Sequence, residues 1–357
     1  MTTTELFFEL TRVAIGRKAL MAEVPTMTQW EDMFEIAMCQ CLVGICFGGI
    51  QKLPEGQRPP SEILFQWMGS AFIIQSCNEV SDRRCAEIWK SLHDNGLEAA
   101  IIKGQGIACQ YGKLEKLRQN GDIDVWIKGG FEVVNDYVQR HHPTTDVTIR
   151  HFHYDVFDDI PVELHFRVAM FRNLIVDKKL SKWLRSFDKV DFVFLEDKGF
   201  CVPTAVFDRI FILLHIYHHF LFEGIGLRQL MDYYFVLSNS DRNNEELHLL
   251  KEFNMIRFAG ATMWVLHHIF GLEEDKMICS MDEKEGRFML LEILRGGNFG
   301  HSDDRYSHLS AMARLMKRGV HLFTHYPSEI AWAPVFLLYH QWWKWNKRRD
   351  ILKNFDT

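Results

Sequence analysis

Asn120-Gly121-Asp122-Ile123-Asp124-Val125-Trp126 alternates acidic and apolar residues in the middle of a chain dominated by helical spacing. In a strand, residues two apart face the same side, so the carboxylates of Asp122 and Asp124 project together while Ile123 and Val125 enter the opposite, buried face. Two carboxylates held side by side repel one another unless a cation lies between them. A hard divalent ion with oxygen ligands, above all Mg²⁺ with Mn²⁺ as an alternative, suits such a pair. The same pattern also describes a solvent-facing strand that merely carries two acids, and the neighbouring sequence has to decide between them.

Upstream, Leu97–Ile102 reads as a short buried strand that ends in Lys103-Gly104-Gln105-Gly106 and runs into a small-residue helix at Gly106–Tyr111. Backbone N–H groups at such a turn can cradle a phosphate, with Lys103 adding a point charge. Arg118, just before the acidic strand, is placed to reach a triphosphate. Downstream, Phe131–His141 reads as a helix, Val147–Phe157 as a third strand and Ile160–Val168 as a fourth, joined by a tight turn at Asp158-Asp159. Within the fourth strand Glu163 is positioned to complete a carboxylate trio, and His165 shares its face. Lys189–Leu195 is a candidate fifth strand. Strands interleaved with helices imply a mixed sheet within roughly 100 residues.

On either side the period is helical. Apolar residues recur every three or four positions through Phe7, Leu10, Val13 and Ala14, then Met33, Ile36, Ala37 and Gln40. A third run, 61–93, carries Ile63, Leu64, Trp67, Met68, Phe72 and Ile73 on one predicted stripe, after a Pro-rich break at 54–60. From Pro203 to the C-terminus the chain is helical and aromatic-rich. The expectation is an α+β fold: a small mixed β-sheet core at 96–200, flanked by helical regions at 1–95 and 201–357.

Composition agrees with a folded protein. Of 357 residues, 47% are hydrophobic and 25% charged, which excludes a disordered chain. The 41 Lys and Arg against 47 Asp and Glu argue against a protein built to hold a long nucleic acid. Eight cysteines form no C-x-x-C pair, and the N-terminus lacks a basic leader, so a reducing cytoplasmic location is expected. The apolar windows 33–50 and 202–221 contain Glu35 and Gln40, and Asp208, Arg209 and three histidines, so no transmembrane segment is expected.

A glycine turn, then an acid-x-acid strand, then a third acid on a later strand is similar to the layout of the polymerase-β-like nucleotidyltransferase superfamily. Ile102-Lys103-Gly104, Arg118-x-x-Gly121-Asp122-Ile123-Asp124 and Val162-Glu163-Leu164-His165 resemble, more closely, an uncharacterised bacterial nucleotidyltransferase family with L-K-G, R-x-x-D-x-D and h-E-L-H-W motifs. The likeness continues through His215 and Gly226-Leu227-Arg228-Gln229-Leu230-Met231-Asp232 and covers about residues 97 to 235. The departures are Gln105 where Ser or Gly is usual, Glu163 where many relatives have Asp, and Phe166 where Trp is commoner.

The resemblance implies attack of an acceptor oxygen on the α-phosphate of a nucleoside triphosphate, with pyrophosphate leaving. Asp122, Asp124 and Glu163 would hold two Mg²⁺ ions. Lys103, Gly104, Gln105, Arg118, His165 and Arg228 would contact the nucleotide. The acceptor is unspecified. Two other readings stay open: a glycosyltransferase whose D-x-D holds Mn²⁺ and a nucleotide-sugar, and a non-catalytic nucleotide-binding module.

Other features read more simply. His215, His218 and His219 share a predicted helix, and core or site-lining histidines explain them better than zinc. Arg228 and Asp232, four apart, are expected to pair along their helix. His151, His153 and Asp155 share a strand face, read as a polar outer face, although whether it is Glu163's face depends on hairpin register. Trp332, Phe336, Trp342, Trp343 and Trp345, with Lys344, Lys347, Arg348 and Arg349, read as a packed helix with a basic end, and less readily as a membrane or RNA contact.

Overall fold

Thr2 and Thr26 each exchange hydrogen bonds with the residue three further on, Glu5 and Gln29, and so fix the starts of helices α1 (Thr3–Ala14) and α2 (Met27–Cys39). The computed structural model describes residues 1–306 and 308–355, without the side chains of Ala311 and 348–355. A left-handed Cys41 separates α2 from α3 (Val43–Lys52), so the apolar window 33–50 is two helices and a turn. The long α4 (Ser61–Asp94) follows. Its expected single stripe is corrected: Ile63, Trp67 and Ala71, spaced by four, are buried, whereas Met68, Phe72 and Ile73 are exposed.

The central sheet has the order β1-β2-β4-β3, with β1 (Ala99–Ile102), β2 (Ile123–Ile127), β3 (His151–His153) and β4 (Val162–His165). β1 runs antiparallel to β2, β2 parallel to β4, and β3 antiparallel to β4. The third and fourth strands are shorter than the sequence suggests. Thr148 Oγ1 accepts the N–H groups of Arg150 and His151, forming a turn just before β3. The N–H groups of Phe166 and Arg167 both donate to the Arg150 carbonyl, which ends the β4 ladder. The helix after β1 is also shorter: α5 (Gly104–Ala108) gives way to 3₁₀ turns over Cys109–Leu117.

One sheet face is apolar. Ile101, Ile123, Val125, Ile127, Phe152, Val162 and Leu164 pack on Cys85, Ile88 and Leu92 of α4 and on Val134, Tyr137 and Val138 of α6 (Gly130–His141). After α7 (Leu174–Arg185), the predicted fifth strand is β5 (Val193–Leu195). It pairs with an unforeseen β6 (Phe200–Val202) in a separate two-stranded sheet.

The C-terminal half is helical: α8 (Ala205–Phe222), α9 (Leu227–Ser238), α10 (Glu246–Glu252), α11 (Ile256–Phe270), α12 (Glu283–Gly296), α13 (Ala311–Leu322), α14 (Pro327–Ile330) and α15 (Ala333–Phe355). A large core joins α1–α4 with α8–α12 and receives Ile102 and Trp126 from the sheet. α8 is long and apolar enough to cross a membrane, but 67% of it is buried inside the protein, as befits a core helix. In α15, Trp343 packs on Phe131 and Phe166, while Trp342 is exposed; the side chains of Arg348 and Arg349 lie outside the described residues.

Candidate active site

The second sheet face carries the polar residues. Parallel register places Glu163 opposite Asp124, and one oxygen from each of Asp122, Asp124 and Glu163 lies within 4.8 Å of the others. At the end of β1 the backbone of Lys103 turns left-handed (φ 54°), a conformation that costs about 1–3 kcal/mol for a residue with a Cβ. The turn delivers the Lys103 ammonium to 2.6 Å from Asp124 Oδ1, and Gly104 (φ +30°) continues it. His165 Nε2 approaches the same oxygen at 2.7 Å.

The two aspartates therefore differ. Burial works against ionisation of Asp124, but Lys103 and the His165 hydrogen bond outweigh it and hold the carboxyl well below the usual range. Asp122 is pushed up, chiefly by the charge of Asp124 and then by burial. The pair is short of positive charge, a deficit that a cation would remove.

Above these acids opens a cleft of about 460 Å³ walled by α8 and α9. Arg118, expected to reach a triphosphate, lines it but is buried and tied to Asp232 through two bonds of 2.7 Å, with Tyr111 Oη donating to the same carboxylate at 2.5 Å. Asp232 is thus taken from Arg228, and the expected pairing along α9 is corrected. Among the described residues no carboxylate lies within 4.0 Å of the Arg228 or Arg150 guanidinium, and both line the cleft. Burial lowers the pKa of both. Gln105 does not line the cleft; its side chain turns inward, where the amide donates to Asp82.

The antiparallel register pairs His151 with His165 and His153 with Glu163. These histidines therefore share the face of Glu163, which corrects their reading as a polar outer face. The sequence contained them and Arg150, but only the register places them. His151 is pulled down to about 2, first by burial and then by the neighbouring His165 and Arg150.

On the opposite wall, burial keeps His215 well below the ordinary histidine range, and His219 Nδ1 lies 2.7 Å from Glu223 Oε2. Neither joins a group of three metal-ligating side chains among the described residues. Phe299, in a left-handed turn before Gly300, closes the rim 5.3 Å from the His219 ring.

Two acids at the start of one strand, a third on its parallel neighbour, a strained Lys-Gly turn and two arginines with no close carboxylate among the described residues define a nucleotidyltransferase. The chain belongs to the family described as uncharacterised nucleotidyltransferase, whose model matches residues 26–271. No curated protein and no solved structure matches the chain. The match extends beyond the motifs at both ends, taking in all of α2 and all of α11. Every residue lining the cleft except Phe299 falls inside it.

Proposed function

We propose that the enzyme moves a nucleoside monophosphate from a nucleoside triphosphate to a hydroxyl-type acceptor on a small molecule or protein, releasing pyrophosphate. The observation that carries this reading is charge placement: three converging carboxylates share a cleft with two guanidiniums that, among the described residues, have no carboxylate within 4.0 Å. Two partly buried arginines without a close carboxylate partner in one cleft fit a polyanionic ligand. The hard oxygen donors of Asp122, Asp124 and Glu163 suit Mg²⁺ or Mn²⁺, two ions by analogy with the superfamily. Ions bound there would neutralise charge on the α-phosphate and acidify the acceptor hydroxyl.

The protein's own groups then have distinct tasks. Asp122 and Asp124 would hold the ion beside the nucleotide's phosphates, and Glu163, on the acceptor side, would help take the hydroxyl proton. Arg150 and Arg228 receive the β- and γ-phosphates and hold the chain in line for displacement. Lys103, already beside Asp124, supplies a further positive charge. His219 and Glu223, with Phe299, shape the wall where the base or the acceptor lies. The eight free thiols fit a cytoplasmic enzyme.

Incubating the protein with each NTP, Mg²⁺ and a panel of hydroxyl acceptors should release pyrophosphate in proportion to a nucleotidylated product. Nucleotide-sugar binding without any NTP binding would transfer the site to glycosyl chemistry.

A further inference from the structure

Three histidines surround Glu163, and the reading above uses none of their rings as metal ligands. One ligand atom each from His151, Glu163 and His165 lies within 4.8 Å of the others. His151 Nδ1 is 3.3 Å and His165 Nε2 3.2 Å from the same oxygen, Glu163 Oε2. Ligand atoms held at about 2.0–2.2 Å from one ion stand roughly 3 Å apart, so these gaps match the edges of a coordination shell. His151 is only 5% exposed, yet neither of its ring nitrogens has a hydrogen-bond partner, while His165 Nε2, the ring nitrogen nearest Glu163, is shared with Asp124 Oδ1 at 2.7 Å. A buried polar atom left unpaired costs about 1–3 kcal/mol, which a metal bond would offset.

The scaffold is rigid. His151 and His165 are cross-strand partners, as are His153 and Glu163, so the strands themselves hold the donors together. His153 Nδ1, 3.9 Å from Glu163 Oε1 and more exposed, stands at the mouth of the cluster.

We propose that His151, His165 and Glu163 form a metal position of their own, selective for a borderline transition ion such as Co²⁺ or Zn²⁺, beside the all-oxygen position of Asp122 and Asp124. Mg²⁺ takes oxygen ligands, whereas imidazole nitrogen favours the later divalent ions. The two positions meet at Glu163. The inference rests on the proposed function only for assigning Asp122 and Asp124 to the neighbouring ion; it does not require nucleotidyl transfer.

The test is a Co²⁺ titration of chelator-treated full-length protein in excess Mg²⁺, followed by visible absorption of the cobalt centre. One equivalent should bind with a nitrogen-ligand spectrum. His151→Gln should weaken it by about tenfold or more, while Asp122→Asn should retain it. Absence of Co²⁺ uptake by the wild type, or equal affinity in His151→Gln, would overturn the proposal. Should His151→Gln fail to fold, X-ray absorption of Zn²⁺-loaded wild type decides: two imidazoles in the first shell support the site, and fewer than two refute it. Failure of the wild type to bind any NTP would sink the functional reading while leaving this cobalt result standing.

Discussion

Asp122 and Asp124 are two residues apart at the start of β2, yet their surroundings treat them oppositely. Asp124 has Lys103 and His165 as partners; Asp122 has mainly the repulsion of Asp124. Asp122→Asn should therefore abolish transfer while leaving the melting temperature unchanged or raised. Asp124→Asn should abolish transfer and also cost of order 3 kcal/mol, because the Lys103 ammonium loses its partner. Thermal melts of the two variants check this, and identical melts would refute the asymmetry. Arg150 gives a second contrast. Replacing it with Met should weaken NTP affinity about tenfold or more, the worth of a charge-assisted hydrogen bond, without loss of stability. Alternation, read with the neighbouring Lys103-Gly104 turn and Glu163 strand, made the acids legible in the sequence. Arg150, His151 and His153 were not, because a slip of one residue in β3 would have turned them away. Gln105 was misplaced because a five-residue helix turns its amide inward to Asp82.

At the scale of elements, the segment leading into β2 is fastened to α9 by Arg118 and Asp232, partners 114 residues apart. Spacing of four along α9 suggested Arg228 instead. That spacing permits a pair but cannot compete with a bidentate partner from another element that buries both charges. Asp232→Ala should cost about 3–5 kcal/mol by stranding a buried guanidinium, and the further change Arg118→Met should recover part of that loss. A double-mutant cycle by urea unfolding measures it; strictly additive losses would contradict the coupling. The helices were readable from their periodicity, whereas the strand ends were set by hydrogen bonds at Thr148 and Arg150 that no propensity encodes.

Over the whole molecule, the flanking helices share one core that wraps the polar sheet face, a long-range packing that periodicity does not reveal. The far C-terminal region is pinned to the start of α7 by Glu329, whose carboxylate accepts the N–H groups of Arg172 and Asn173 at 2.8 and 3.1 Å. Burial pushes Glu329 up to about 7 from its ordinary 4.5. Between those values the folded state holds a proton that the unfolded chain releases, so its contribution to stability falls as pH rises from about 4.5 to 7. Glu329→Gln should flatten that part of the stability–pH curve, measured by unfolding at a series of pH values. Calorimetric titration of each NTP into the full chain tests whether the acids of the sheet bind a metal–nucleoside triphosphate. Binding should require Mg²⁺ or Mn²⁺ and should weaken about tenfold or more in a folded Asp122→Asn variant. Equal binding in the presence of a chelator and in that variant, or no binding of any triphosphate, would show that these acids do not hold a metal–nucleotide complex.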